Sequence, residues 1–417
     1  MGGIEVTPSR GGRPGAWKRS RVAAVAVGCV AGAVGLAACS SSGASSAGAA
    51  AGAKGTVAIG GIAPLSGLLG SYGADLEAGY EQGVKDINAK GGVLGGMRLK
   101  LTMVDDAGQP AQGVSDVQTL AEQDHVAAIL GTFGSATALT ESATAEQLGI
   151  PNVQPLASAT QMVTRGYKYL FNMYPLSQQV ERQNDAVLKN TANPSSVAIV
   201  YEDEPAEIDQ ATVAKADWGA AVKLSSEFDQ ALTDFTSLTS QIKASGAQAV
   251  IFLSLQPQYI AFMTAMKQQQ VNVKTVIALS SIGTDAPAQQ ALGATNYYAM
   301  GNLGEDPSNP AYKAFVTEWE ADHGGAAPVD TSTMGYAAAE ILGAAIEKAG
   351  SDKAAAIQAA LASGSFPTVM SVTPVKFGSN GQSNLNQPVA QIQNGKPVEL
   401  WPTAAGTFEL TPPWSQR

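Results

Sequence analysis

The sequence contains few of the side chains that build redox and metal centres. Of its 417 residues, two are cysteine, Cys29 and Cys39, and two are histidine, His125 and His323. Both cysteines lie near the amino terminus, so a disulfide, a thiolate nucleophile or a cysteine-ligated metal site is excluded from the remainder of the chain. Two histidines cannot build a histidine-rich metal centre. The composition therefore predicts no metal and no cofactor.

Positive charge is also scarce. The chain has 25 Lys and Arg residues against 35 Asp and Glu residues, which gives a formal net charge of −10. Residues 1–38 contain five basic residues and one acidic residue, so the remainder of the chain carries a net charge of −14. Nucleic-acid binding requires a basic surface, which an acidic chain of this kind lacks. We therefore predict no nucleic-acid partner.

The amino-terminal segment has the order of a secretory signal. A basic stretch precedes the apolar run Val22–Leu36, which is too short for a confident membrane span. The run ends in Leu36-Ala37-Ala38-Cys39. An ordinary signal or a single anchor helix is the alternative interpretation. We predict a signal peptide over residues 1–38.

The end of this signal resembles a lipobox, because small residues stand directly before a cysteine. The resemblance implies cleavage before Cys39 and a diacylglycerol group on its thiol. Residues 39–55 are mostly Ser, Gly and Ala, a composition typical of a flexible tether. The chain is therefore expected on the extracytoplasmic face of the cell membrane, held by its lipid.

From Thr56 onward, apolar strand-like runs alternate with amphipathic helix-like runs. The strands are continuous in Val, Ile and Leu, which favours parallel βαβ units buried on both faces. The pattern restarts after Leu176, so we predict an α/β fold of two doubly wound lobes. Three successive helices between Tyr312 and Leu361 indicate additions to an existing lobe. The predicted strands are Val57–Ala63, Leu99–Val104, Val126–Leu130, Ser196–Tyr201, Ala247–Leu253 and Val273–Leu279.

Three segments follow predicted strands at the edge where open α/β sheets bind ligands. In the first, Tyr72 stands between glycines; packing beneath its own helix is the alternative. In the second, Gly131–Thr137 opens a helix whose free N–H groups favour an anion, with simple capping by Ser135 as the alternative. In the third, Gly149–Thr160 combines prolines with small hydroxyl residues and could be an ordinary loop. Their joint placement at one edge is the argument for a binding site.

The sequence resembles the type I periplasmic binding proteins, and most closely their leucine/isoleucine/valine-binding branch. The match runs from about Val57 to the end of the chain and is strongest through Tyr167. The segments that carry it are Pro64-Leu65-Ser66-Gly67, Tyr72-Gly73, Asp86-Ile87-Asn88-Ala89-Lys90-Gly91-Gly92-Val93-Leu94-Gly95-Gly96, Asp105-Asp106 and Arg165-Gly166-Tyr167.

The resemblance implies two α/β lobes joined by a three-strand hinge and closing over a ligand. The expected amino-terminal lobe comprises residues 56–175 and 302–368, and the carboxyl-terminal lobe comprises residues 176–301 and 369–417. The first lobe is expected to hold the carboxylate of the ligand. The implied contacts are Tyr72 to the ligand side chain, Ser135 with Ala136 and Thr137 to its carboxylate, and Leu156 and Ser158 through carbonyl and hydroxyl groups.

The chain departs from the family pattern at two places. Family members often join the Asp-Asp loop to the ligand loop by a disulfide, and here Gly108 and Gly134 occupy both positions. The acidic residue that neutralises the ammonium group of an amino-acid ligand would fall near Ser281. A buried ammonium group without a counter-charge costs several kcal/mol. Either Glu202 or Glu204 replaces that acid, or the ligand has no ammonium group.

For Glu202 and Glu204 the alternative is a solvated loop, because charged residues are mostly exposed. Gln256, which follows the predicted strand Ala247–Leu253, is a further candidate contact. The lower-ranked ligand contacts are thus Glu202, Glu204, Gln256 and Ser281.

These observations favour a monomeric, lipid-anchored solute-binding protein that delivers its ligand to an ABC permease. The expected ligand is a branched-chain amino acid or a related small carboxylate or amide. A sensor subunit that presents its ligand to a membrane receptor is the alternative. A serine hydrolase is a remote alternative, because Phe133-Gly134-Ser135-Ala136-Thr137 lacks the second glycine of a Gly-x-Ser-x-Gly elbow. We therefore predict that the protein is not an enzyme.

Overall fold

Strands and helices alternate through most of the chain. The computed structural model describes residues 55–278, 300–302, 309–393, 396–401 and 407–416. The predicted signal peptide, Cys39 and all but the end of the tether lie outside the described residues. The strands are β1 (Thr56–Ala63), β2 (Arg98–Asp105), β3 (Ile129–Leu130), β4 (Asn152–Gln154), β5 (Leu170–Asn172), β6 (Val197–Glu202), β7 (Val222–Phe228), β8 (Ala249–Leu253), β9 (Thr275–Ala278), β10 (Met300–Asn302), β11 (Phe366–Thr368), β12 (Ser371–Val375), β13 (Val389–Gln393) and β14 (Lys396–Trp401).

The helices connect the parallel strands and extend the second half of the chain. Within the described ranges, none of them is long and apolar enough to cross a membrane. The helices are α1 (Gly70–Ala89), α2 (Pro110–Glu122), α3 (Ser135–Leu148), α4 (Gln161–Thr164), α5 (Ser177–Asn190), α6 (Pro205–Trp218), α7 (Thr236–Ser245), α8 (Gln256–Gln268), α9 (Pro310–Asp322), α10 (Asp330–Ala349) and α11 (Ala354–Ser363).

Two parallel sheets confirm the predicted α/β fold class. The first has the order β2-β1-β3-β4-β5 and the second has the order β7-β6-β8-β9. In each sheet the strand order reverses beside the first strand, between β1 and β3 and between β6 and β8. A crevice forms outside the carboxyl ends of the strands at such a reversal, and ligands bind there. The fold therefore contains two potential half-sites.

Burial explains which strands the sequence pattern detects. Every residue of β6 and β8 is buried, as expected for central strands covered by helices on both faces. The edge strand β7 instead alternates, with Lys223, Ser225 and Glu227 exposed. β7 was not predicted from the sequence, because its polar exposed residues interrupt the apolar pattern.

The helices near the carboxyl terminus pack on the first sheet through α1. A Cβ atom added at Gly79 in α1 would lie 2.2 Å from the carbonyl oxygen of Ser332 in α10, so only glycine allows this approach. Phe315 and Trp319 of α9 join the same hydrophobic core. These helices therefore pack on the first half of the fold.

The return of the chain to the second sheet occurs later than the expected boundary at residue 368. Val375 and Phe377 are buried in the core of the first sheet. By contrast, Val389 and Leu400, from the antiparallel sheet β10-β13-β14, pack against β6 and β8. The chain thus leaves the core of the first sheet after Phe377 and has joined the core of the second sheet by Val389.

Candidate functional site

A cavity of about 100 Å³ is lined by residues that follow strands of both parallel sheets. About seven to ten water-sized groups fit such a volume, which matches a small organic molecule. The lining residues at strand ends are Gly134 and Ser135 after β3, Leu156 and Ser158 after β4, Glu202 and Glu204 at the end of β6, and Leu255 after β8. The two strand-order reversals therefore contribute to one cavity. Of the three segments that were predicted to meet at one sheet edge, the second (Gly131–Thr137) and the third (Gly149–Thr160) both contribute lining residues.

The Ser135 hydroxyl group joins the second segment to the third. Gly134 has φ of +98°, a conformation that favours glycine, and it precedes the first residue of α3. The Ser135 Oγ atom accepts hydrogen bonds from the backbone N–H groups of Ser158 and Ala159, both at 3.2 Å. Ser135 is buried. Its oxygen therefore stabilises the wall of the cavity, while its O–H group can still donate to a ligand.

Replacing Ser135 with alanine is expected to destabilise the protein by about 1–3 kcal/mol, because two backbone donors lose their acceptor. This differs from the expectation that the serine serves the ligand alone. Chemical denaturation measures the change, with Ser115→Ala as the control because that side chain is exposed on α2. Equal stability of the Ser135 variant and the control would show that the hydroxyl group has no structural role.

Leu69 occupies the space where the family has a disulfide. A Cβ atom at Gly108 would lie 3.4 Å from Leu69 Cδ1, and one at Gly134 would lie 3.8 Å from the same atom. Leu69 also lines the cavity. Nearby, the Asp105 carboxylate accepts from the backbone N–H of Leu65 at 2.8 Å, which fastens the loop between β1 and α1. The two loops that a disulfide would have joined are instead packed through Leu69 and linked by the Thr132 hydroxyl group, which donates to the Asp106 carboxylate.

Two carboxylates of the second half lie beside loops of the first sheet. Glu204, two residues after β6, lies near the start of α3, where the Ala136 amide lowers its pKa. The other is that of Asp209 on α6, whose Oδ2 accepts from the backbone N–H of Thr160 at 2.7 Å. Ala136 was expected to contact the carboxylate of a ligand. Glu204 therefore lies close to the position predicted for that carboxylate.

Three glutamates of the second half form an acidic wall of the cavity. Glu202 is fully buried and Glu207 is nearly so. Desolvation raises the pKa of Glu202, and desolvation together with repulsion from Glu202 raises the pKa of Glu204 to about 7. The pKa of Glu207 is raised well above its usual value, chiefly by burial and then by repulsion from Glu202 and Glu204. The alternative of a solvated loop is wrong for Glu202.

This acidic wall predicts that the protein is less stable at pH 8 than at pH 5. A carboxyl group whose pKa is 4.5 when unfolded and about 7 when folded stabilises the fold below pH 4.5. That contribution is lost as the pH rises through 7, and for Glu204 it amounts to about 3 kcal/mol. Denaturant unfolding at both pH values tests this, with Glu204→Gln expected to flatten the dependence. A wild-type stability that rises from pH 5 to pH 8 would contradict the assignment.

The other predicted contacts are not among the described lining residues. The Tyr72 ring stacks on Phe133, with centroids 4.5 Å apart, and Phe133 lines the cavity. Thr137 is buried, and its methyl group lies against Gly113 in α2, so it packs α3 on α2. Gln256 is the first residue of α8, and its side chain is not described. Ser281 lies outside the described residues.

Several lining residues were not predicted from the sequence. Gln230 follows β7, the strand whose pattern was not recognised, and Tyr174 follows β5. Asp330 and Thr331 begin α10, which reaches the cavity from the far end of the sequence. A polar residue at the start of a helix is too common a signal to identify such a contact.

Comparison with known proteins identifies the family. Residues 56–397 match the family model described as periplasmic binding protein, so the chain belongs to that family. Its fold is that of the type I periplasmic binding proteins, as predicted. The family is one of binding proteins, which agrees with the prediction of a solute-binding chain.

Relatives are recognisable along most of the chain. The Leu/Ile/Val-binding protein BraC3 of Rhizobium johnstonii is 31% identical over 336 residues, covering 78% of this chain and 88% of the relative. An amino acid binding protein of Pseudomonas aeruginosa is 29% identical over 323 residues, covering 75% of this chain and 84% of the relative. The resemblance to the leucine/isoleucine/valine-binding branch is thereby confirmed.

Solved structures share the fold at low sequence identity. The branched-chain amino acid transporter substrate-binding protein LivJ of Streptococcus pneumoniae, in complex with isoleucine, superposes with a TM-score of 0.74 at 19% identity, covering 82% of this chain and 99% of that protein. A solute-binding protein of an ABC transporter from R. palustris, in complex with benzoate, gives a TM-score of 0.73 at 22% identity, covering 86% and 97%. Neighbours with this fold thus hold ligands of different chemistry.

Proposed function

We propose that this chain is the extracytoplasmic, lipid-anchored solute-binding subunit of an ABC importer. It captures a small solute that carries an amino group. The branched-chain amino acids after which its relatives are named belong to this class of solute. The cavity at the two strand-order reversals carries this proposal. Apolar residues such as Leu69, Phe133 and Leu156 suit the body of the solute, and the buried carboxylate of Glu202 suits its ammonium group.

The two halves of the fold act as lobes that close on the solute. The amino-terminal lobe comprises residues 56–175 and 302 to about 377, and the carboxyl-terminal lobe comprises the remainder of the body. The change of core between Phe377 and Val389 supports the later boundary. A ligand that contacts both lobes binds the closed form better and shifts the population toward it. Delivery to a permease follows, because closure presents one surface formed by both lobes.

The anchor is Cys39, with the Ser, Gly and Ala segment up to residue 55 as its tether. Support comes from the order of the basic stretch, the apolar run and the small residues before the cysteine. A linker of sixteen residues with this composition is expected to span on the order of 20 Å on average, which would keep the binding lobes close to the membrane. A monomer suffices for this role, because the cavity is lined by a single chain.

A thermal-shift screen of amino acids, amines, small carboxylates and amides tests the proposed function. A true solute at about 100 times its dissociation constant stabilises the fold by about 2.7 kcal/mol. Ser158→Phe, which places a ring in the cavity, is expected to abolish the shift, and Ser115→Phe on the exposed face of α2 is expected to retain it. If no compound shifts the wild type, or Ser158→Phe responds fully, the proposed site is wrong. Loss of uptake of that solute on deletion of the gene separates an importer subunit from a sensor.

A further inference from the structure

We propose that Asp209 is a latch between the two lobes, because its carboxylate binds a backbone amide of a loop that lines the cavity. The inference rests on the proposed function, since it takes the two halves of the fold to be lobes that open and close. Three observations carry it: a hydrogen bond between the halves, the position of that bond beside the cavity, and the bonds that hold the rest of the loop.

The hydrogen bond joins elements that belong to different cores. The backbone N–H of Thr160 donates to Asp209 Oδ2 at 2.7 Å. Thr160 is the last residue of the β4–α4 loop (residues 155–160), and its neighbour Ala159 is buried in one cluster with residues of α3 and β5. Asp209 lies on α6, whose Ala211 packs in the core of β6 and β8. The Asp209 side chain thus connects the two halves of the fold.

The Asp209 carboxylate is a strong acceptor for this amide. The side chain is half-buried and belongs to neither of the ion pairs found within the described ranges. A hydrogen bond to a carboxylate is about twice as strong as one between neutral groups. Because neither of these ion pairs engages the carboxylate, its charge strengthens the bond to the Thr160 amide.

The bond lies beside the cavity in both halves of the fold. Glu207, two residues before Asp209 on α6, lines the cavity, and so does Ser158, two residues before Thr160. In the proposed function, entry of a solute separates these two walls and moves α6 away from the loop. A hydrogen bond is lost once its donor and acceptor are more than about 3.5 Å apart. The bond between Asp209 and Thr160 therefore belongs to the closed form of the protein.

The rest of the loop is fastened to the amino-terminal lobe. The backbone N–H groups of Ser158 and Ala159 both donate to Ser135 Oγ, at 3.2 Å. The side chains of Ala157 and Ala159 are buried in the same cluster as residues of α3. Of three successive amides, the first two thus bind their own lobe and the third binds the other lobe. Because the loop cannot follow Asp209 by itself, the latch holds the lobe as a whole.

A latch of this kind acts on affinity without acting on selectivity. Asp209 and Thr160 are not among the described lining residues, so their bond is made within the protein and not to the solute. It stabilises the closed form with or without a solute, and by the same amount for every solute. A larger population of the form that holds the solute raises the apparent affinity for all of them. Asp209 is therefore a positioning residue for solute binding.

Small-angle X-ray scattering and hydrogen exchange on the full chain test this inference without any added solute. The variants are Asp209→Ala, which removes the acceptor, and Asp209→Asn, which keeps an acceptor oxygen without the charge. Glu227→Ala is the control, because Glu227 is an exposed carboxylate on β7 in the same half of the fold. Residues 1–54 are the same in every sample, so a change in the radius of gyration reports the separation of the lobes.

We expect the Thr160 amide hydrogen of Asp209→Ala to exchange about 10-fold faster than that of the wild type. The radius of gyration of this variant is expected to be larger, because the lobes separate more often. Asp209→Asn is expected to lie between the two proteins in both measurements, and Glu227→Ala is expected to match the wild type.

An unchanged radius of gyration in Asp209→Ala would overturn the latch even if the amide exchanges faster, because the bond would then act on the loop alone. An equal increase in Glu227→Ala would overturn it as well. If circular dichroism shows that Asp209→Ala is unfolded, the same criteria apply to Asp209→Asn. The thermal-shift screen on the wild type decides separately whether the cavity binds a solute, so the latch can fail while the proposed function stands.

Discussion

Glu202→Gln is expected to weaken the binding of the solute that carries an amino group by about 150-fold or more. Removing one partner of a buried ion pair costs about 3–5 kcal/mol, and each 1.4 kcal/mol is a factor of ten in affinity. Glutamine has the same shape and still accepts from the Ser254 hydroxyl group, so packing is retained. Titration calorimetry on wild type and variant measures the loss.

The same substitution is expected to leave the ligand-free protein at least as stable at pH 8. Burial raises the pKa of Glu202, which means that the folded protein disfavours its charge, and glutamine carries none. The matched control is Glu227→Gln, at an exposed position of β7 in the same sheet. An affinity unchanged in Glu202→Gln, or lowered equally in the control, would remove Glu202 from the binding site.

Glu204→Ala is expected to strengthen the binding of solutes that carry a carboxylate beside their amino group. Glu204 lines the cavity near the Ala136 amide, so the variant removes one negative charge beside the start of α3. The start of the helix then favours the carboxylate of the ligand, while its ammonium group remains with Glu202. A charge-assisted hydrogen bond contributes about 1.5–3 kcal/mol, which corresponds to roughly 10- to 150-fold in affinity for leucine.

Glu204→Gln is the control that separates the loss of charge from the gain of space. Glutamine removes the charge but keeps the volume of the side chain, so it opens no room for the carboxylate of a ligand. Leucine is therefore expected to gain much less in this variant than in Glu204→Ala. Equal gains in both variants would mean that repulsion alone excludes carboxylates. No gain in either would contradict the role of Glu204.

Much of the fold was predictable because a central strand that is buried on both faces consists mainly of apolar residues. Continuous apolar runs identified β1, β6 and β8, since strands buried on both faces admit little else. The edge strand β7 was missed, because Lys223, Ser225 and Glu227 face solvent and make the segment look polar. The local pattern therefore identifies an apolar strand more readily than an edge strand with a polar face.

The site residues that follow strands of one sheet were predictable from the sequence. The contacts that join the two halves of the fold were not. Ser135 and Ser158 follow strands of one sheet, so their proximity follows from topology. The hydrogen bond from the Thr160 amide to the Asp209 carboxylate joins the two halves, and no local pattern specifies which side chain of one half reaches which amide of the other. For the same reason, Thr137 appeared to be a contact although it packs against Gly113 in α2.

A crystal structure with the solute that the thermal-shift screen identifies tests the central claim most directly. We predict that the solute lies in the cavity at the two strand-order reversals, with its ammonium nitrogen within hydrogen-bond distance of the Glu202 carboxylate. A solute bound outside this cavity would contradict the account, as would one whose ammonium group lies away from Glu202.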